Sequence, residues 1–188
     1  MIAAALKCFA ARGYFGASMR DIAAEADIGL AGIYHHFASK QEILQAVMTA
    51  TLEDVLASTR ARVAAAPADD PAEQLAELVR AWVEFHAVRQ EEARVGGSEV
   101  QFLEGEAREQ VIALRDEQEE LFVRTITNGA RIGAFTTPYP REAARAVINM
   151  SIAVASWYRL DGDIAPAALA DRYATLALDM VGSVAPRP

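Results

Sequence analysis

Little in this chain could carry covalent chemistry. It holds three histidines, His35, His36 and His86, and one cysteine, Cys8. No His-Glu-x-x-His zinc pattern, Gly-x-Ser-x-Gly elbow or Gly-x4-Gly-Lys phosphate loop occurs, so an enzyme is not expected and no cofactor is assigned. A single thiol cannot close an internal disulfide, and no second one stands nearby to make a metal or redox pair, a usage that suits a reducing compartment. Apolar runs of membrane-spanning length are missing. Lys7 and Arg12 break up the apolar opening, which lacks the order of a secretory signal. A cytoplasmic protein without a membrane partner is expected. Apolar and polar residues nowhere alternate with period two over a useful length, which argues against strands.

What is present points to helices. The hydrophobic fraction is 53% while aromatics make up only 7%, and alanine supplies much of the difference; alanine loses no side-chain entropy in a helix. A length of 188 residues allows one sizeable core, or two small domains sharing a helix. The net charge of −8 is unevenly spread. Residues 1–48 balance Lys7, Arg12, Arg20 and Lys40 against Asp21, Glu25, Asp27 and Glu42, so all the excess acid lies in residues 49–188. A neutral module that can approach phosphates, attached to an acidic body that they repel, fits this asymmetry.

The periodicity predicts an all-α fold of about nine helices. Ile2, Leu6 and Phe9 mark a first helix ending at Gly13. Ser18 stands three residues before Asp21, a weaker form of the capping box, and Ile22, Ala23 and Ala26 give the second helix one apolar face. Asp27-Ile28-Gly29 reads as a turn, and a third helix runs from about Leu30 to His36, which makes a helix-turn-helix. Ile22, Ile28, Ile33 and Phe37 are spaced to pack this pair. Ser39 and Glu42 form a capping box that opens a long helix to about Ala66, before Pro67 and Pro71. Further helices read as about 71–90, 92–104, 106–132, 140–160 and 166–182, with Gly96-Gly97, Gly105, Gly133, Pro138, Pro140 and Pro166 as punctuation. Domains at 1–46 and 47–188 follow.

The ordered run Ser18 to Phe37, with Ile33-Tyr34-His35-His36-Phe37 after Asp21-Ile22-Ala23 and a short turn, followed by Ser39-Lys40, resembles the DNA-binding region of the tetracycline-repressor family of transcriptional regulators. This resemblance covers about residues 2–50 and implies a homodimer reading a pseudo-palindromic double-stranded operator, released by a small-molecule effector. It assigns Ser18, Tyr34, His35 and Lys40 to phosphates and places Ala31 and Gly32, with Leu30, nearest the bases. Gly29, Leu30 and Gly32 stand where many relatives carry polar residues, so apolar contact with thymine methyls would weigh more here. The chain begins inside its first helix, without the short basic extension common in that family. The alternative is that Tyr34, His35 and His36 merely end a surface helix of a helical binding or scaffold module that no longer reads DNA.

In the C-terminal half, Trp82, Phe85, His86 and Arg89 fall at i, i+3, i+4 and i+7, one stripe carrying two aromatics, an imidazole and a cation. Phe102, Phe122, Asn149 and Trp157 could complete a ligand cleft, with Leu103, Leu114, Leu121 and Tyr158; plain core is the competing reading. Val111 to Phe122 and Ser156-Trp157-Tyr158-Arg159 resemble the branch of the family whose sensors respond to acyl-coenzyme A thioesters, which makes such a thioester the expected effector. Leu169, Tyr173, Leu176 and Met180 form an apolar stripe on the last helix, the expected dimer interface. The acids Glu104 to Glu120 alternate with arginines as ordinary i,i+4 pairs, and Asp161-Gly162-Asp163 reads as a turn, so no metal site is expected.

Overall fold

The computed structural model describes residues 1–184. Its helices are α1 (Ile2–Gly16), α2 (Met19–Glu25), α3 (Leu30–His36), α4 (Lys40–Ala65), α5 (Pro71–Val88), α6 (Gln90–Ser98), α7 (Gly105–Arg131), α8 (Pro140–Ile152), α9 (Val154–Trp157) and α10 (Pro166–Met180), with a 3-10 turn at Glu99–Phe102. Among the described residues the only β pairing is an isolated bridge between Phe135 and Ser183. The expected all-α fold is what forms. The 140–160 helix is divided at Ala153 into α8 and the single turn α9, and Gly96-Gly97 lie within α6 rather than ending it.

The chain forms two compact units. Met1–Asp54 with Glu91–Arg115 make the first, and Val55–Gln90 with the chain from Asp116 onward make the second. A boundary at 46/47 follows motifs along the chain; compact units follow packing, so the first unit also takes in α6, the 3-10 turn and the start of α7.

In the first unit, Phe9, Ile22, Ile33, Ile43, Leu44, Met48 and Leu103 are almost wholly buried. The Ser18–Asp21 pair is a complete capping box: Asp21 N–H donates to Ser18 Oγ (3.1 Å) and Ser18 N–H to Asp21 Oδ2 (2.9 Å). Asp27 takes φ 53° in the turn that follows. Of the four residues expected to pack this pair, Ile22 and Ile33 are buried, Phe37 is half-buried, and Ile28 is exposed. Ile28 sits at the corner between the helices, where its side chain lies against Gly32 instead of entering the core.

The first helix does not stop at Gly13. That residue adopts φ 67°, ψ 171°, which breaks the ladder, and helical turn resumes to Gly16. Breaking a helix leaves backbone groups without partners. Here Tyr14 N–H donates to Glu99 Oε2 at 2.9 Å, in a buried setting, and the other carboxylate oxygen accepts from the Ser98 hydroxyl at 2.9 Å. On the carbonyl side, the Lys40 ammonium donates to Tyr14 O (2.6 Å) and Ala17 O (2.8 Å) and lies 4.3 Å from the Tyr14 ring centroid. An unpaired buried amide would cost about 1–3 kcal/mol.

In the second unit α5 is the central element. Leu75, Leu78, Val79, Val83 and Ala87 are fully buried, and the helix packs mainly on α10 and also on α8. Ala170, Ala174 and Ala177 recur on the inner face of α10, and their small side chains let the two helices approach. Arg80 of α5 ties the rim, donating to Asp171 (2.8 Å), Glu77 (2.7 Å) and Glu73 (3.1 Å). Asp70 caps α5 by accepting from Ala72 N–H and Glu73 N–H, ahead of Pro71 at the first position.

Behind α7 the chain folds back so that Phe135, 3% exposed, lies over Gly129. A Cβ at Gly129 would fall 2.2 Å from the Phe135 ring, whereas a Cβ at Gly97 would meet nothing within 4 Å. Glycine inside a helix is ordinarily about 1 kcal/mol worse than alanine. The two glycines are therefore expected to respond with opposite signs: Gly97→Ala should raise stability by up to about 1 kcal/mol, and Gly129→Ala should lower it by about 1–3 kcal/mol. Urea unfolding of both variants checks this, and stabilisation by Gly129→Ala would contradict the Phe135 packing.

Candidate functional site

The surface of the first unit is unusual at α3. This helix has seven residues, and only Ile33 is buried. Leu30 is 37% and Tyr34 52% exposed, and Ala31, Gly32, His35 and His36 are exposed as well. The structure thus places Leu30, Ala31, Gly32, Tyr34 and His35 together on one open helix. The His35 and His36 rings meet edge to face at 5.3 Å. Gly29 caps the helix with φ −68°, and a Cβ there meets nothing, so glycine is not a backbone requirement at this position.

Ser18 and Lys40 come together elsewhere, at the start of α2. The Ser18 side chain caps that helix, and the Lys40 ammonium reaches Ala17 O. A lysine extended towards a phosphate was the expectation; two of the three Lys40 N–H groups instead serve the broken end of α1. The sequence pattern also passes over Arg20. Lys7 pairs with Glu25 (2.9 Å) and Arg12 with Asp21 (2.7 Å), whereas Arg20 is exposed on α2 with no carboxylate partner among the described residues. Which cation of a neutral module remains available is decided by pairing, which composition does not reveal.

The second unit holds the aromatic stripe as a connected group. The Trp82 ring lies 5.9 Å from Phe85, 4.6 Å from His86 and 6.3 Å from Phe122. His86 is buried, its Nδ1 is 2.8 Å from Trp82 O, and burial lowers its pKa to about 4, so the ring is neutral at physiological pH. It cannot supply a cation. The Arg89 guanidinium lies over the Phe85 ring at 5.3 Å. Three buried polar atoms among the described residues of this unit have no hydrogen-bond partner: Trp82 Nε1 and Arg62 Nη1, both donors, and Gln118 Oε1, an acceptor. Gln118 is 3% exposed, and its Nε2 reaches Thr59 Oγ1 at 3.4 Å. Neither Gln118 nor Thr59 was singled out from sequence, where a glutamine among surface acids carries no signal of burial beyond its place four residues before Phe122.

Other expected members lie apart. Phe102 belongs to the first unit, stacked on Tyr14 (5.6 Å) and edge-on to Phe15 (4.7 Å). Asn149 is on the exposed side of α8, and Trp157 is half exposed with its ring against Tyr158. The expected interface stripe is divided: Leu169 is 4% exposed and Tyr173 half-buried, while Leu176 (52%) and Met180 (43%) are open. Helical phase assigns a face to these residues but does not say how far along it the chain's own neighbours extend. Among the described residues no group of three His, Cys, Asp or Glu could hold a metal ion, and no helix is long and apolar enough to cross a membrane.

Comparison with known proteins bears on this arrangement. Residues 1–47 match the family profile described as bacterial regulatory proteins, tetR family, and residues 68–181 match a tetracyclin repressor-like C-terminal domain. The HTH-type transcriptional repressor KstR2 of Rhodococcus jostii is 29% identical over 177 residues, covering 93% of this chain and 86% of the relative. A crystal structure of a tetR-family regulatory protein from Rhodococcus RHA1 is 33% identical, with a TM-score of 0.90 over 98% of this chain and 96% of that one. The structure of AibR in complex with isovaleryl coenzyme A and operator DNA shares the fold at 22% identity, with a TM-score of 0.85 over 97% and 96% of the two chains. With its open third helix, its enclosed aromatic cluster and both family profiles matched, the chain belongs to the tetR family of bacterial regulatory proteins, DNA-binding transcriptional regulators rather than enzymes.

Proposed function

We propose that this chain represses transcription as a homodimer on a pseudo-palindromic operator and leaves the DNA when an acyl-coenzyme A thioester binds its second unit. Residues 1–46 are the reading domain and residues 47–188 the sensing and dimerising domain, acting in the cytoplasm where Cys8 stays reduced. The observation that carries the reading is α3, a helix held by the single buried residue Ile33 with every other side chain exposed. Such a helix contributes little to a core and is shaped to enter a major groove. The same exposure disfavours a helical module that no longer reads DNA. Leu30, Ala31 and Gly32 then face base edges, Tyr34, His35 and Ser18 face phosphates, Arg20 adds a cation, and Lys40 holds the α1–α2 corner with one N–H left for a phosphate.

The thioester reading has two supports. AibR, of the same fold, is solved with isovaleryl coenzyme A. Trp82, Phe85 and Phe122 offer an apolar lining, and the unpaired Trp82 Nε1 and Gln118 Oε1 offer a donor and an acceptor to a neutral polar group. Neutral His86 suits the acyl body, which leaves Arg89, at the C-terminal end of α5, as the group for a charged end. Helices α4 and α7 each carry the chain from one unit into the other. Release then requires that the ligand bind the DNA-incompetent state more tightly than the competent one.

Three outcomes are expected. For DNA, Tyr34→Phe and Arg20→Ala should weaken operator binding across sequences, and Arg20→Ala should reduce the salt slope by about one phosphate's worth; fluorescence anisotropy over a salt series measures both, and unchanged slopes would displace α2 and α3 from the backbone. For assembly, Leu176→Glu with Met180→Glu should give helical monomers that do not bind operator, as judged by light scattering and circular dichroism. A persistent dimer would remove α10 from the interface. For the effector, Gln118→Leu should leave stability unchanged or slightly higher, since a buried unsatisfied polar atom is lost, and yet alter the inducer concentration needed for release. Arg89→Ala should raise that concentration at constant operator affinity. If no acyl-coenzyme A ester in a chain-length panel releases the DNA, the thioester assignment fails while the regulator assignment stands.

A further inference from the structure

We propose that a groove between α7 and the start of α8 binds the phosphate groups of a small phosphorylated molecule. The groove has a volume of about 390 Å³ and is lined by Glu120, Arg124, Thr127, Asn128 and Arg131 of α7 and Arg141 of α8. Three guanidinium groups thus share one concavity with a single carboxylate. Elsewhere in the same unit Arg60, Arg62, Arg80, Arg145 and Arg159 each pair with a carboxylate, while Arg172 is an isolated surface arginine without one among the described residues, so what sets the groove apart is the gathering of three guanidinium groups. In the groove, Arg124 comes only within 4.0 Å of Glu120, Arg131 donates to the amide oxygen of Asn128 (2.8 Å), and neither Arg131 nor Arg141 has a carboxylate partner among the described residues.

Three like charges gathered around a hollow repel one another, and a ligand with two or more negative charges relieves that repulsion. Guanidinium is the side chain best fitted to phosphate, through paired N–H donors in a planar fork. The Thr127 hydroxyl and the Asn128 amide add uncharged hydrogen-bonding groups. The start of α8 has no side-chain cap, but Pro140 brings no N–H there and Glu142 stands in its first turn, so the three guanidinium groups carry the recognition. The volume falls in the range of small-molecule pockets. The chemistry is that of a diphosphate, which could belong to a free nucleotide or to the nucleotide part of a coenzyme A thioester. The proposal stands on the groove and does not depend on the effector reading.

The test is isothermal titration of the full chain at low ionic strength with adenosine diphosphate, inorganic pyrophosphate, adenosine and free coenzyme A. Adenosine diphosphate should bind saturably, one per chain, and adenosine should not. Arg131→Glu combined with Arg141→Glu should weaken that binding by at least about tenfold, while Arg94→Glu, an exposed arginine of the first unit, should leave it unchanged. Arg131 and Arg141 are exposed, so circular dichroism should be unaltered; Arg131→Gln alone should give a smaller loss in the same direction. Coenzyme A losing affinity in step with adenosine diphosphate assigns the site to the nucleotide part of a thioester, whereas pyrophosphate matching adenosine diphosphate while coenzyme A does not bind assigns it to a free diphosphate. No saturable binding of any phosphate, or equal loss in Arg94→Glu, would overturn the proposal.

Discussion

A helix broken before its end exposes backbone groups that must find partners, and in the first unit that requirement organises much of the rest. At Gly13 the chain turns left-handed, and the Tyr14 amide is received by Glu99, a residue 85 positions away in sequence. The carbonyls of Tyr14 and Ala17 are received by Lys40, the first residue of α4. A carboxylate therefore answers the orphaned donor and an ammonium the orphaned acceptors. Together they fix the end of α1 against the 3-10 turn and against α4. Ala17 leads directly into the Ser18 cap, so the position of α2, and through the turn at Asp27 that of α3, follows from the same corner.

That dependence explains how so short and exposed a helix as α3 is held in place. Helix α3 has one buried anchor, too little to order seven residues alone, because backbone ordering costs about 1–2 kcal/mol per residue and a buried isoleucine returns about 1.5–3 kcal/mol. Its order comes from α2 and from the fixed corner, and every residue of α3 other than Ile33 stays exposed. A charged residue of the familiar motif, Lys40, has thereby become part of the support, while Arg20 stays exposed without a carboxylate partner among the described residues.

The second unit has a different economy. Its α5–α10 contact is close because alanines line α10, and the Arg80 cluster closes its edge. Against that well-packed background, unpaired polar atoms remain at Arg62, Trp82 and Gln118. A protein whose only task was stability would gain from replacing them with apolar groups, since an unsatisfied buried polar atom is costly. The groove between α7 and the start of α8 gathers three guanidinium groups with one carboxylate.

Local sequence determined the helices, the caps at Ser18 and Ser39 and the turn at Asp27, since each of these rests on contacts within a few residues. It also placed Trp82, Phe85, His86 and Phe122 in one group, because helical period brings the first three onto one stripe. Only tertiary structure decided the rest. Phe102 went to Tyr14 and Phe15, Ile28 went to the surface, and Leu169 was covered where Leu176 was not. The protonation state of His86 depended on its burial, and the duties of Lys40 and Glu99 depended on a helix break whose unpaired groups are met from far along the chain. Period and spacing specify which face a residue occupies; what lies opposite that face, and whether it carries charge, hydrogen-bonding capacity or simply bulk, is set by segments distant in sequence.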